Sequence, residues 1–217
     1  MAKKVVLSVG TKRGLFLLES GKGRKKWNLR GPFLKGWSVP YAMIDTRSAA
    51  PRIHASASHM AYGSTTLSAD IAGKKFTQAE KPPEFPKLNP KSAKFAKMYG
   101  ISKENTVWII APGPAKQKRV LYAGTAPAGL FRSEDRGKSW EPVTALNEHK
   151  TRKDWNPGAG GHALHSFQID PDEPKRMYAA ISAAGAFRTE DGGESWDSIN
   201  SNVAEYVGAP RESSVST

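Results

Sequence analysis

GLFRSEDRGKSW (residues 129–140) and GAFRTEDGGESW (185–196) repeat one pattern 56 residues apart. Both carry Ser/Thr-x-Asp-x-Gly-x-x-Trp: Ser133, Asp135, Gly137 and Trp140, then Thr189, Asp191, Gly193 and Trp196. An internal repeat of this length decides the architecture before any single strand is considered. Upstream of the second box, HALHSFQID (162–170) is an apolar strand and PDEPKR (171–176) a polar turn. MYAAIS (177–182) is the next strand, AAG (183–185) a tight turn, and AFRTE leads into the box. One unit earlier, TVWIIAPG (106–113), RVLYAGT (119–125), APAG and LFRSE follow in the same order.

Two weaker copies precede these. YAMIDTRSAAPRIHASAS (41–58) parallels residues 165–182, and Ser68, Asp70 and Phe76 make a box with one extra residue. VVLSVGTKRGLFLLESGKGRKKW (5–27) keeps Gly14-Leu15-Phe16, Ser20 and Trp27, with Lys22 at the Asp position. The anchoring aromatics Trp27, Phe76, Trp140 and Trp196 stand 49, 64 and 56 residues apart. Such a period, with four short strands per unit, predicts an all-β chain: a β-propeller of four-stranded blades. Four blades are visible, at 1–30, 40–80, 105–145 and 162–198. Residues 199–217 are polar and non-periodic and read as a flexible tail. The pattern stops after Trp196, so a partial or small propeller is expected, with uncovered edges through which copies can associate.

The box chemistry is that of a hairpin turn between third and fourth strands. A short carboxylate accepts backbone N–H bonds within its own turn, the role expected of Asp135 and Asp191, and the hydroxyls of Ser133 and Thr189 do likewise. Gly137 and Gly193 permit a positive φ, and Trp140 and Trp196 pack beneath the turn. A repeated acid at equivalent places is a fold element, because one active site needs only one copy.

The motif resembles the Asp-box, or BNR, repeat of sialidases, sortilin-type receptors and photosystem-assembly propellers. VGTKRGLFLLES, RGPFLKGW, NPGAGGHALHS and the two box stretches are similar to a bacterial family of WD40/YVTN/BNR-like, sialidase-like glycosyl hydrolase-related proteins. The resemblance covers about residues 4–197 and implies a propeller; any activity it implies rests mostly on fold. Sialidases clamp a substrate carboxylate with three arginines, beside a Tyr–Glu pair and an Asp acid/base. Their early Arg-Ile-Pro signature is absent, and the full constellation finds no match.

Composition narrows the classes further. The chain has no cysteine, which excludes disulfides and thiolate metal sites and suits a cytosolic setting. The first residues, MAKKVVLSVG, read as a strand rather than a signal peptide, and no window is a membrane span. No phosphate loop or nucleophile elbow is present, and no metal or cofactor is expected. His162 and His165 are spaced for neither a helical metal pair nor one strand face. The net charge of +13 is uneven. Residues 1–120 hold 23 Lys/Arg against 6 Asp/Glu, and residues 121–217 hold 10 against 14. Binding of nucleic acid or another anionic polymer by the first half is one consequence; a solvated basic face is the plainer one.

Strand alternation places the box turns at one end of the propeller. The second-to-third-strand turns and the long inter-blade loops (29–41, 78–105, 146–162) lie at the other. Long loops on a rigid scaffold carry function. Ligand-binding candidates at that end are Arg13 and Arg152 for an anion, Trp155 for stacking, Trp37 as an aromatic wall and His165. His162 or His165 is the candidate acid or base, and Arg13 with Arg152 the carboxylate clamp, if the chain is a sialidase-like hydrolase. The leading expectation is a binding propeller for a small anionic or glycan ligand, or a protein partner.

Overall fold

Strands pressed between two blades need apolar or small side chains on both faces, and RIHASASH (52–59) shows how the chain meets that need. Ile53, Ala55 and Ala57 face one neighbour, while His54 and Ser56 are buried against the other. The computed structural model describes residues 4–85, 106–155, 162–182 and 184–201. It forms four antiparallel sheets, each in simple chain order. The first holds β1 (Val5–Thr11), β2 (Gly14–Ser20) and β3 (Asn28–Phe33); the second β4 (Ser38–Asp45), β5 (Arg52–His59), β6 (Gly63–Asp70) and β7 (Thr77–Gln78). The third holds β8 (Thr106–Pro112), β9 (Leu121–Ala126), β10 (Gly129–Ser133) and β11 (Glu141–Pro142). The fourth holds β12 (Leu164–Ile169), β13 (Met177–Ile181), β14 (Gly185–Thr189) and β15 (Asp197–Ser198).

Each sheet is a blade, and each of the three buried clusters joins successive blades. Leu15 and Leu17 of blade 1 meet Ile53 and Leu67 of blade 2. Tyr41 and Met43 of blade 2 pack against Ile110, Phe131 and Trp140 of blade 3. Tyr122 and Leu130 of blade 3 join Leu164, Phe167 and Phe187 of blade 4. Approach is close at Gly10, where a Cβ would lie 2.3 Å from the Val39 carbonyl oxygen, and at Gly124, where it would lie 2.5 Å from that of Leu164. Arg47 reinforces the second junction: paired with Asp45 at 2.8 Å, it donates to the carbonyls of Gly113 (2.7 Å) and Val120 (2.9 Å).

Hydrogen bonds from the turn's own backbone close both boxes. Asp135 Oδ1 accepts from the N–H groups of Lys138 (2.9 Å) and Ser139 (3.0 Å), and Ser133 Oγ accepts from Gly137 N (2.8 Å). Asp191 Oδ1 accepts from Ser195 N (3.0 Å) and Thr189 Oγ1 from Gly193 N (3.0 Å). Gly137 and Gly193 take φ of 84° and 100°. Hydrogen bonds led by the Ser195 hydroxyl hold the Asp191 carboxyl well below the usual range. Asp135 is also lowered; partial burial pushes it up, but bonds from Ser139 and Ser133 outweigh that.

The first blade departs from expectation. It has three described strands, since β1 pairs with β2 as β9 pairs with β10, the second and third strands of a blade. Trp27, read as an anchor, is 38% exposed, because no described blade lies on that side. Inner strands adjoin in sequence, β1 with β4, β4 with β8 and β8 with β12. Among the described residues β12 makes no comparable contact with β1, so the four described blades are arranged as an open arc. Ile199 and Asn200, assigned to the tail, are tied to β14: Ile199 N donates to Ala186 O, and Asn200 spans Ala186 N and Ala184 O. Residues 202–217 lie outside the described residues, as do 86–105 of the second loop. Residues 79–85 of that loop are packed: Ala79 N donates to Thr66 O, and Phe85 sits edge-on to Phe131.

Candidate ligand-binding site

The β1–β2, β5–β6, β9–β10 and β13–β14 turns share one end of the arc with the 33–38 loop, opposite the boxes. There the sequence candidates separate into two groups. Arg13 and Trp37 belong to one surface. Thr11 Oγ1 donates to Gly14 O (2.8 Å) and accepts from Arg13 N (3.0 Å), which leaves the Lys12 and Arg13 side chains in solvent. The same turn abuts the next loop, for a Cβ on Gly14 would lie 2.5 Å from Phe33 O. Trp37 N donates to Leu34 O (3.0 Å), setting the indole beside the β5–β6 turn. Its ring lies 6.0 Å from Tyr62 at 18° and 5.2 Å from His59. His59 and Tyr62 are 4.8 Å apart, and His59 Nδ1 accepts from Ala61 N (3.1 Å). Tyr62 is 72% exposed and Met60 fully so. The outcome is a half-open aromatic platform.

Arg152, Trp155 and His162 form a different, buried group, each 6% exposed. The third loop folds into a short helix, α1 (Thr144–Asn147), and a 3-10 turn (Arg152–Asp154). Arg152 donates to Ala128 O (2.9 Å) and lies 4.8 Å over the Trp155 ring and 5.7 Å over Phe85. Trp155 packs on Phe187 and His162 and donates from Nε1 to Thr151 Oγ1 (3.0 Å). Trp155 therefore stacks on protein, where the sequence reading had it stacking on a ligand, and Arg152 pins the β9–β10 turn from within. The carboxylate clamp of Arg13 with Arg152 does not form: one guanidinium is exposed on blade 1 and the other enclosed beside blade 3. His165 is exposed on β12 and contacts Ser166 Oγ (3.1 Å). The loop glycines Gly158, Gly160 and Gly161 lie outside the described residues.

Sequence reasoning missed His59 and Tyr62 as members of a platform, although their position on a loop-end turn was legible. It also missed two asparagines. Asn147 bonds both the N–H (2.7 Å) and carbonyl (2.9 Å) of Leu130, and Asn200 accepts from Ala186 N (2.8 Å) and donates to Ala184 O (2.9 Å). The signal was an Asn after each box Trp, concealed because the intervals are seven and four residues.

At the box end, a cavity of about 640 Å³ opens between the first strands of blades 3 and 4, lined in part by Ile109, Ala111, Phe167 and Ile169. Its edge groups Arg47 and Asp170 are already engaged in turn closure and ion pairing. Among the described residues no group of three His, Cys, Asp or Glu is placed to hold a metal ion. No described helix is long and apolar enough to cross a membrane.

Fold and repeat together define a BNR/Asp-box-type β-propeller. No protein-family model matches the chain. In sequence it is similar to the probable oligoxyloglucan-reducing end-specific xyloglucanase of Neosartorya fischeri, 33% identical over 91 residues, 42% of this chain and 10% of the relative. The oligoxyloglucan-reducing end-specific xyloglucanase of Emericella nidulans is 28% identical over 87 residues, 40% and 10% of the two chains. This chain thus spans about a tenth of the curated relatives it matches. Among solved structures it resembles the GH74 xyloglucanase of Xanthomonas campestris, with TM-score 0.58, 19% identity, 92% of this chain and 29% of that one. YCF48 from Cyanidioschyzon merolae matches at TM-score 0.50 and 12% identity over 88% of this chain and 52% of its own.

Proposed function

We propose that the chain is a carbohydrate-binding Asp-box propeller that takes a glycan on its loop end. The observation that carries this is the near-parallel Trp37–Tyr62 pair, with Tyr62 largely exposed where no packing requires it. A sugar ring presents an apolar face to such a surface and keeps its hydroxyls in water. Lys12 and Arg13, exposed on the β1–β2 turn at the same end, are the donors available to an acidic substituent or ring hydroxyls. The xyloglucanase relatives give the glycan class a first candidate, an oligoxyloglucan.

Calorimetric titration with xyloglucan oligosaccharides tests the proposal. Saturable binding is expected, weakened at least ~5-fold by Trp37→Ala or Tyr62→Ala, since a base-sized stacking contact contributes about 1–3 kcal/mol. Binding unaffected by both substitutions, or none to any glycan in a panel, overturns it. A second reading, glycoside hydrolysis, is supported by the 33% identity to a xyloglucanase. Release of new reducing ends from xyloglucan by the purified chain decides for it; a substrate left intact decides against it.

A further inference from the structure

The two ends of the arc carry the two halves of a blade junction. At the junction between blades 3 and 4, Tyr122 stacks on Phe167 at 4.6 Å, and Phe187 is wholly buried behind it. The outer face of blade 4 repeats the holding half. Tyr178 and Arg188, paired across β13 and β14, stand 56 residues after Tyr122 and Arg132, paired across β9 and β10. Tyr122 is 4% exposed, whereas Tyr178 is 36% exposed.

Blade 1 carries the held half. With Gly14-Leu15-Phe16 aligned on Gly185-Ala186-Phe187, Phe16 is the counterpart of Phe187. It pairs with Val9 as Phe187 pairs with Ala179, and Leu18 pairs with Leu7 and Leu29. These side chains share one face of the sheet, because directly opposed residues project the same way. Their counterparts in blade 4 are buried, yet Leu7 is 47%, Val9 39% and Leu29 61% exposed. A continuous apolar sheet face of this kind is unusual on a solitary surface.

Charge matches the same pairing. Residues 4–33 hold eight Lys/Arg against one Glu, and residues 162–201 hold three Lys/Arg against seven Asp/Glu. Two copies of blade 1 repel one another, while blade 1 attracts blade 4. We infer that the chain associates head to tail with a second copy, the Leu7–Leu18–Leu29 face of blade 1 docking on the Tyr178–Arg188 face of the partner's blade 4. The junction is heterologous, so each copy offers both surfaces. This goes beyond the glycan reading and is independent of it.

Sedimentation velocity on the purified chain tests it with Leu29→Glu and Tyr178→Glu, both at exposed positions, each checked for wild-type far-UV circular dichroism. Wild type is expected to form dimers or larger head-to-tail assemblies of the 23.6 kDa chain. Each variant alone should be monomeric. An equimolar mixture should recover a 1:1 pair, because Tyr178→Glu keeps an intact blade 1 and Leu29→Glu an intact blade 4. As a mutation-free arm, 0.5 M NaCl should weaken wild-type association at least ~10-fold by screening the opposed charges. Monomeric wild type at ~100 μM overturns the inference. So does an assembly that Leu29→Glu abolishes and Tyr178→Glu leaves unchanged, since that pattern means apolar faces pairing with each other.

Discussion

Replacing each box tryptophan by phenylalanine should give unequal losses, although the two boxes share one pattern. Trp140 is 1% exposed and donates from Nε1 to Thr66 Oγ1 at 3.0 Å, across the junction of blades 2 and 3. Trp196 is 6% exposed, and its Nε1–H finds no acceptor among the described residues. Both substitutions shrink a buried ring, a cavity term on the order of 1 kcal/mol. Trp140→Phe also removes a buried hydrogen bond and leaves the Thr66 hydroxyl, 3% exposed, short of a donor, about 1–2 kcal/mol more. Trp196→Phe removes a group already unsatisfied, a gain of about 1 kcal/mol that offsets its cavity. The expected losses are therefore about 2–3 kcal/mol for Trp140→Phe and near zero for Trp196→Phe. In a chain of this size that separates the melting temperatures by roughly 4–12 °C. Urea unfolding followed by circular dichroism measures both. Equal losses, or a greater loss at Trp196, would refute the reasoning that hydrogen bonding across the blade junction distinguishes the boxes.

His54 is 3% exposed, and desolvation lowers its pKa to about 4, against the 6.5 of a free histidine. The unfolded chain therefore binds a proton that the folded one refuses between those values. Stability should fall by up to about 3 kcal/mol as pH drops from 6.5 to 4, then level off. Urea midpoints across that range should show the slope, and His54→Gln should flatten it; an unchanged slope would contradict the assignment. Asp135→Ala removes a carboxylate that accepts from Lys138 N, Ser139 N and Ser139 Oγ, and should cost about 2 kcal/mol while leaving glycan affinity unchanged. Loss of binding without loss of stability would instead make the box functional. Arg152→Met should destabilise by about 2–3 kcal/mol, since it frees the Ala128 carbonyl and the cation–π packing on Trp155. A folded, equally stable Arg152→Met with impaired ligand binding would return Arg152 to the site.

Much of the fold was legible because turn chemistry leaves a strict residue pattern. Ser133, Asp135 and Gly137 are fixed by hydrogen bonds within a few residues, so spacing alone reveals them. Burial was harder to read, because it depends on which blade lies alongside. Trp27 and Trp140 hold equivalent positions, yet only Trp140 has a described blade over it. The site was legible in part for the same reason. Arg152 and Trp155 have the composition of a binding loop, but the 3-10 turn folds them onto Phe187 and Ala128. Tyr62 stands in a loop-end turn, and only the packing of the 33–38 loop beside it makes a platform.

The glycan-binding reading is tested most directly by following the six tryptophan indole N–H resonances of 15N-labelled protein during titration with a xyloglucan oligosaccharide. The expected result is a saturable shift of the Trp37 indole, with Trp140 and Trp155 unmoved because they are packed within the blades. A shift confined to Trp108, or a ligand that moves no indole while binding in the calorimeter, would contradict the assignment of the site to the Trp37–Tyr62 platform.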